Sequence, residues 1–258
     1  PDGEYTLTEK TAPSGYLLNT TVYTFTMSGG KVTWTGDKQP SIVGDMAWIS
    51  DKPTQVVWEK VDSDNNNAPL AGSGWTIEQK SIVDGQEKWT PINEVMDCTE
   101  APCNALVQYK DEDPTSGKFL VKKLPVGTYR ITETTVPEGY EKVGGPYVFT
   151  VTNSEETVSV SSKPLGNTRK TGTVYWGKVS TELEDGKHVY LAGSAWSIKF
   201  KPHGAENFQD PVTITDCVRT TGSTSGTCSA SGSVTDTWAK DDNPAAGRIS
   251  LSGLPWGT

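Results

Sequence analysis

The sequence predicts an all-β protein built as tandem small antiparallel β-sandwiches. Three observations predict it. Segments such as "EYTLTEK" (4–10), "VYTFTMS" (22–28), "KVTWTG" (31–36), "TYRITET" (128–134) and "YVFTVT" (147–152) alternate apolar with polar residues and are rich in Val, Tyr, Phe, Trp and Thr, the pattern of half-buried strands. Gly-, Pro- and Asn-rich turns separate them, and no stretch has helical periodicity. Finally, the chain repeats itself, and thin two-sheet domains suit a chain with only 34% hydrophobic residues.

The repeat sets the domain organisation. "VVWEKVDSDNNNAPLAGSGWTI" (56–77) matches "VYWGKVSTELEDGKHVYLAGSAWSI" (174–198), with Trp58 against Trp176 and Lys60 against Lys178. "VMDC" (95–98) echoes "ITDC" (214–217), and "KDEDPTSGKFLVKKLPVGT" (110–128) matches "KDDNPAAGRISLSGLPWGT" (240–258). "PDGEYTLTEKTAPSGYLL" (1–18) matches "PVGTYRITETTVPEGYEK" (125–142). Residues 1–53 therefore read as the C-terminal half of one repeat, 54–168 as a complete repeat, and 169–258 as the N-terminal part of a third. By this alignment "GLPWGT" is the turn before a strand and not a sorting signal.

Bulk properties exclude several classes. A formal net charge of −9 leaves no basic stripe for nucleic acid. No apolar run reaches the length of a membrane span and no signal peptide opens the fragment. Cys98 with Cys103 and Cys217 with Cys228 form two close pairs without zinc spacing, and read as short-loop disulfides of an oxidising compartment. No metal site or cofactor is expected: "DSDNNN" (62–67) lacks the Gly and closing Glu of a calcium loop, and "KDEDP" and "KDDNP" read as solvated acidic turns. His188 and His203 have no Ser, Cys or Asp constellation around them, so conventional enzyme chemistry has no footing. The recurring Trp58, Trp75, Trp176 and Trp196 read as core packing.

Two charged residues fall on apolar rows. Alternation places Tyr129, Ile131 and Glu133 on one face of their strand, as it does Tyr5, Leu7 and Glu9. It likewise groups Val56, Trp58 and Lys60, and Val174, Trp176 and Lys178. The strands could end there, with both charges at the rim, or a buried Lys–Glu salt bridge could form. A chemical reading is also open. Burial lowers a lysine pKa and raises a glutamate pKa, giving a nucleophilic amine beside a carboxylic acid that can polarise an amide. An Asn side chain between them would be attacked and lose ammonia, leaving a Lys–Asn isopeptide.

"LPVGTYRITETTVPEGYE" and "GEYTLTEKTAPSGYLL" resemble the E-box region of Cna protein B-type domains, also called SpaA-type pilin repeats, of Gram-positive surface proteins. "WEKVDSDNNNAPLAGSGWTI" is similar to the family's lysine-bearing first strand, and "GNTRKTGTVYWGK" to a junction between repeats. The resemblance covers essentially the whole chain. It implies an Ig-like, prealbumin-like sandwich and assigns Lys60 as nucleophile, Glu133 as catalytic acid and Asn167 as acceptor, with Asn153 as rival acceptor. In the first partial repeat it implies Glu9 as the acid and an aspartate acceptor, Asp51 or Asp45. In the last it implies Lys178 as nucleophile. The implied protein is a stalk or shaft segment of a bacterial adhesin or pilus, on the extracellular, cell-wall-anchored surface with the anchor outside the fragment. Its only chemistry is autocatalytic and single-turnover. Its implied partners are neighbouring repeats, other pilin subunits or host surface ligands, and the split phase of the two half-repeats suggests head-to-tail complementation between copies. The alternative is an adhesin module that grips a host matrix protein or glycan through its loops.

Overall fold

The computed structural model describes residues 1–103, 107–142, 144–202, 205–218 and 240–256, and among these there is no helix. The chain divides into two compact units, Pro1–Thr168 and Arg169–Thr258.

In the first unit, residues 1–53 contribute β1 (Gly3–Leu7), β2 (Tyr23–Ser28) and β3 (Lys31–Trp34), paired in that order, and the hairpin β4 (Ser41–Val43) with β5 (Met46–Trp48). Tyr5 stacks on Phe25 with centroids 5.3 Å apart, and Phe25 packs on Trp34 at 5.1 Å. The rest of the unit comprises β6 (Gln55–Asp62), β7 (Ala68–Pro69), β8 (Gly74–Val83), β9 (Gln86–Met96), β10 (Lys118–Lys122), β11 (Gly127–Thr135), β12 (Tyr140–Lys142), β13 (Tyr147–Val151), β14 (Thr157–Ser159) and β15 (Leu165–Arg169). They form two sheets, β10-β6-β15-β12 and β13-β11-β8-β9, with β7 and β14 also paired to β6. Between the sheets lie Val56, Trp58, Trp75, Ile77, Phe119, Val121, Leu124, Tyr129, Ile131 and Val151, all buried. Trp58 stacks on Phe119 at 4.7 Å, and both meet Trp75 edge-on. The period-2 alternation read from the sequence is the cause: one row of each strand faces the opposite sheet.

One feature departs from a purely antiparallel sandwich. β14 and β15 both run parallel to β6. Parallel neighbours need a crossover, and the chain supplies it by passing through β11 and β13 of the other sheet before returning. β6 thus changes partners along its length. Residues 55–59 pair with β10 and 55–57 with β14, whereas 60–62 pair with β15 and 61–62 with β7.

A polar joint ties residues 1–53 to the complete sandwich. Thr54, 1% exposed, donates its N–H to the Gly15 carbonyl (3.0 Å) and its hydroxyl to the Leu124 carbonyl (2.7 Å). Gly15 has φ +82°, and a Cβ there would sit 2.4 Å from the Lys123 carbonyl oxygen, so only glycine fits. Leu18 N–H donates to the Asn153 carbonyl at 2.9 Å.

The second unit contains β16 (Thr171–Gly177), β17 (Val179–Glu184), β18 (Lys187–Tyr190), β19 (Ala195–Ile198), β20 (Val212–Thr215) and β21 (Arg248–Pro255), paired as β16-β21, β17-β18 and β19-β20. Its core is Ile214, Ile249 and Leu251, with Trp176 and Trp196 half-buried and edge-to-face at 5.6 Å.

Replacing Thr54 by the isosteric valine keeps the packing but removes the buried hydroxyl. We expect Thr54→Val to lower unfolding free energy by about 1–3 kcal/mol, measured from urea midpoints. Gly15→Ala, which also strains the backbone, is expected to cost more than Thr54→Val.

Candidate functional site

The rows that carry Lys60 and Glu133 both point into the sandwich. Lys60 on β6 is 1% exposed, Glu133 on β11 is 5% and Asn167 on β15 is 0%. Neither charge is at the rim. Lys60 Nζ lies 3.3 Å from Glu133 Oε1, and Asn167 Nδ2 donates to the same oxygen at 2.9 Å. The lysine also sits 5.5 Å from the centroid of the Trp75 ring. Burial pulls the Lys60 pKa below the ordinary lysine value; the Glu133 carboxylate opposes this, and the Lys142 ammonium adds to it. Lys142 Nζ donates to the Glu133 backbone carbonyl at 3.0 Å. Beside the triad, Tyr140 donates its hydroxyl to Asp62 Oδ2 at 2.9 Å, and burial together with the Glu133 charge raises the Tyr147 pKa. An amine buried against a carboxylate that also holds a carboxamide can pass its proton to the carboxylate and, on reaching the amide carbon, attack it.

Asn153 is exposed and does not meet Glu133. In residues 1–53, Glu9 and Asp51 come together. Asp51 is half-buried and its pKa is raised, first by burial, then by the Glu9 charge and a hydrogen bond to Glu9. Glu9 Oε2 accepts the Asn19 N–H at 2.7 Å. A cavity of about 250 Å³ opens on Asp51 between Leu17, Asn19, Thr21 and Ser50. Asp45 is exposed in the β4–β5 turn. Glu9 lies two residues past β1, whereas Glu133 lies inside β11; β11 is held on both sides by β13 and β8, and β1 is paired with β2 alone. Lys178 is exposed in the second unit.

Cys98 and Cys103 form a disulfide. Cys217 is also disulfide-bonded; its expected partner Cys228 and His203 lie outside the described residues. His188 is exposed, 3.4 Å from the Ser180 carbonyl. No group of three metal-ligating side chains occurs among the described residues.

The acidic turns are not simply solvated, contrary to the sequence expectation. Asp111, 2% exposed, accepts N–H bonds from Cys98 (2.9 Å), Asp113 (3.0 Å) and Leu120 (2.9 Å). Asp241 repeats this with Cys217, Asn243 and Ser250. Asp97 and Asp216 likewise accept from glycines, Gly72 with Gly117 and Gly193 with Gly247. The signal was in the sequence: "DC" and "KD" recur in phase, and a carboxylate kept at one position of a repeat has a task there.

The SpaA family, described as a prealbumin-like fold domain, matches residues 1–39 and 54–164. No curated protein matches the chain. Among solved structures, the chain is similar to the Bacillus anthracis TIE protein at 16% identity and TM-score 0.48, over 100% of this chain and 35% of that one. It is similar to a streptococcal ancillary pilin at 17% identity and TM-score 0.32, over 100% of this chain and 64% of that one. The major pilin SpaD of Corynebacterium diphtheriae follows at 14% identity and TM-score 0.33, over 61% of this chain and 45% of that one.

Burial outweighs the three N–H bonds of Asp111 and pushes its carboxyl up to about 6, with Asp97 adding repulsion. A carboxyl that holds its proton to higher pH in the folded than in the unfolded chain stabilises the fold most below its ordinary value and loses that contribution as pH rises through about 6. Between pH about 4 and about 6 we expect wild-type unfolding free energy to fall by roughly 1–3 kcal/mol from this group. Asp111→Asn should flatten that slope in denaturant titrations at stepped pH.

Proposed function

The chain belongs to the SpaA family of prealbumin-like fold domains, and from that membership and the buried triad we propose that it is a load-bearing stalk or shaft segment of a bacterial pilus or adhesin, rigidified by self-formed isopeptide bonds. The observation that carries the reading is the contact of Lys60, Glu133 and Asn167 inside the sandwich, 3.3 and 2.9 Å apart through one carboxylate oxygen. The burial that disfavours the Lys60 ammonium form, together with the carboxylate oxygen it shares with the Asn167 amide, supports this reading.

The step is as follows. The Lys60 ammonium passes a proton to Glu133, and the free amine attacks Cγ of Asn167. The Cγ–Nδ2 bond breaks as Glu133 carries protons to the departing nitrogen. A Lys60 Nζ–Asn167 Cγ bond remains, ammonium leaves, and Glu133 returns to its carboxylate. Closing about 100 residues in this way is worth about 4.7 kcal/mol in the chain-entropy account.

Glu9 with Asp51 is proposed as the equivalent acid and acceptor, with loss of water instead of ammonia. In that step an amine would attack Cγ of Asp51, whose pKa is raised by burial and by Glu9, and a carboxyl oxygen would leave as water. Lys178, on the equivalent of the Lys60 strand, is the matching donor for such a pair in an adjoining repeat or a second copy. The segment is assigned to the cell surface, where oxidation permits the disulfides, in contact with other pilin subunits or host ligands. No helix among the described residues is long and apolar enough to cross a membrane.

Intact mass after denaturation tests the proposal. The wild-type chain is expected to lack one ammonia, to regain it in Glu133→Ala, and to melt at lower temperature in that variant. Full mass in the wild-type chain would falsify the covalent reading.

A further inference from the structure

Lys60 sits where β6 exchanges its partners, β10 for β7 on one side and β14 for β15 on the other. A strand is least constrained at such a point, because its ladder is interrupted. Two turns hold the Lys60 peptide there. Its N–H donates to the Gly117 carbonyl at 2.6 Å, and its carbonyl accepts from Leu70 N–H at 2.9 Å. Gly117, at φ +73°, lies so close that an added Cβ would fall 2.7 Å from the Lys60 carbonyl oxygen and 2.9 Å from Leu70 N. Both turns end on one carboxylate: Asp97 accepts Gly72 N–H at 2.8 Å and Gly117 N–H at 3.1 Å.

The arrangement recurs in the second unit. Lys178 N–H donates to Gly247 O and its carbonyl accepts from Leu191 N–H, each at 2.8 Å. Asp216 accepts Gly193 N–H (2.8 Å) and Gly247 N–H (2.9 Å). Gly247 has φ +66° and would clash with Leu191 backbone at 2.7 Å. Here the lysine side chain is exposed. The cradle is thus present around a lysine backbone whether or not that side chain is buried, so it is not a by-product of the buried ion pair.

We infer that Asp97 is a positioning residue for the isopeptide reaction: its carboxylate locks the 70–72 and 117 turns around the Lys60 peptide and so aims the amine at Asn167. This rests on the isopeptide reading proposed above. Asp97 touches none of the reacting atoms and acts through Gly117 and the 70–72 turn. Its influence is geometric, and a misplacement of about 1 Å in a reacting group can cost about 100-fold in rate. An asparagine can keep the acceptor for these N–H groups, because in the second unit one oxygen, Asp216 Oδ2, takes both bonds.

The test follows the rate of cross-linking in the full chain. Pulse-labelled chains from cell-free translation are chased, denatured at intervals and scored for loss of ammonia by intact mass. Asp97→Ala is expected to cross-link about 10- to 100-fold more slowly than wild type, and Asp97→Asn to recover most of the rate. In the non-reacting Glu133→Gln background, Asp97→Ala should still unfold cooperatively, which separates aim from folding. Gly117→Ala leaves the carboxylate but drives a methyl against the Lys60 carbonyl, and is also expected to be slow. A wild-type rate in Asp97→Ala or in Gly117→Ala, or an Asp97→Asn as slow as the alanine variant, overturns the inference while the reaction itself stands. A wild-type chain that never loses ammonia overturns both.

Discussion

Residues 54–168 enclose a pair of charges that the interior of a β-sandwich normally excludes. Removing an ammonium or a carboxylate from water costs several kcal/mol each even after relaxation, and their mutual attraction returns only part of it. A pair of well-packed apolar residues would serve stability at least as well. Lys60 and Glu133 instead sit among Trp75, Tyr147 and the sandwich core. The fold around them is overdetermined: stacked Trp58 and Phe119, β11 held on both edges, and turn backbones clamped by aspartates. Such redundancy is what a buried polar contact needs if it is to keep one geometry.

The same parts occur elsewhere in the chain in other combinations. In residues 1–53 the carboxyls of Glu9 and Asp51 meet directly, and a small open cavity lies on Asp51. In the second unit Lys178 keeps its backbone cradle with its side chain in solvent. The Glu9–Asp51 contact is set by local structure within residues 1–53, and the Lys178 backbone is held by its aspartate-tied glycine turns with the side chain in solvent. In residues 54–168 the same backbone cradle and a buried Lys60–Glu133 contact occur together.

How much of this could be read in the sequence depends on the range of the interaction. Strand alternation is local, so the rows ending in Lys60 and Glu133 were legible, and the repeat made them credible. That Asn167 and not Asn153 meets Glu133 depends on β15 returning beside β6 through a crossover, which no local pattern encodes. Asp111 and Asp241 read as solvated from sequence because an acidic turn normally is; here the carboxylates fold back onto backbone N–H groups. The Thr54 joint was invisible for a similar reason. A threonine at the start of a strand says nothing of the two carbonyls, Gly15 and Leu124, that will face it from distant parts of the chain.

The parallel pairing of β6 and β15 also decides what a bond between them would do under tension. Force applied through the chain on either side would enter β6 near Gln55 and leave β15 near Arg169. The two strands run side by side in the same direction, so this load shears their ladder along its length. Hydrogen bonds loaded in this way resist together, but once they yield, nothing covalent prevents the intervening strands from unravelling. A Lys60–Asn167 link sits within that ladder, two residues from the end of β6 and two from the end of β15. Load would then cross from β6 to β15 through a covalent bond, and the strands between them in sequence, β7 to β14 with the disulfide loop, could not be unravelled by it. The Thr54 joint lies at the entry of the same path, where Gly15 and Leu124 clamp the chain just before β6 begins. A charge that adds little to stability is thus placed where a covalent bond would carry the most force.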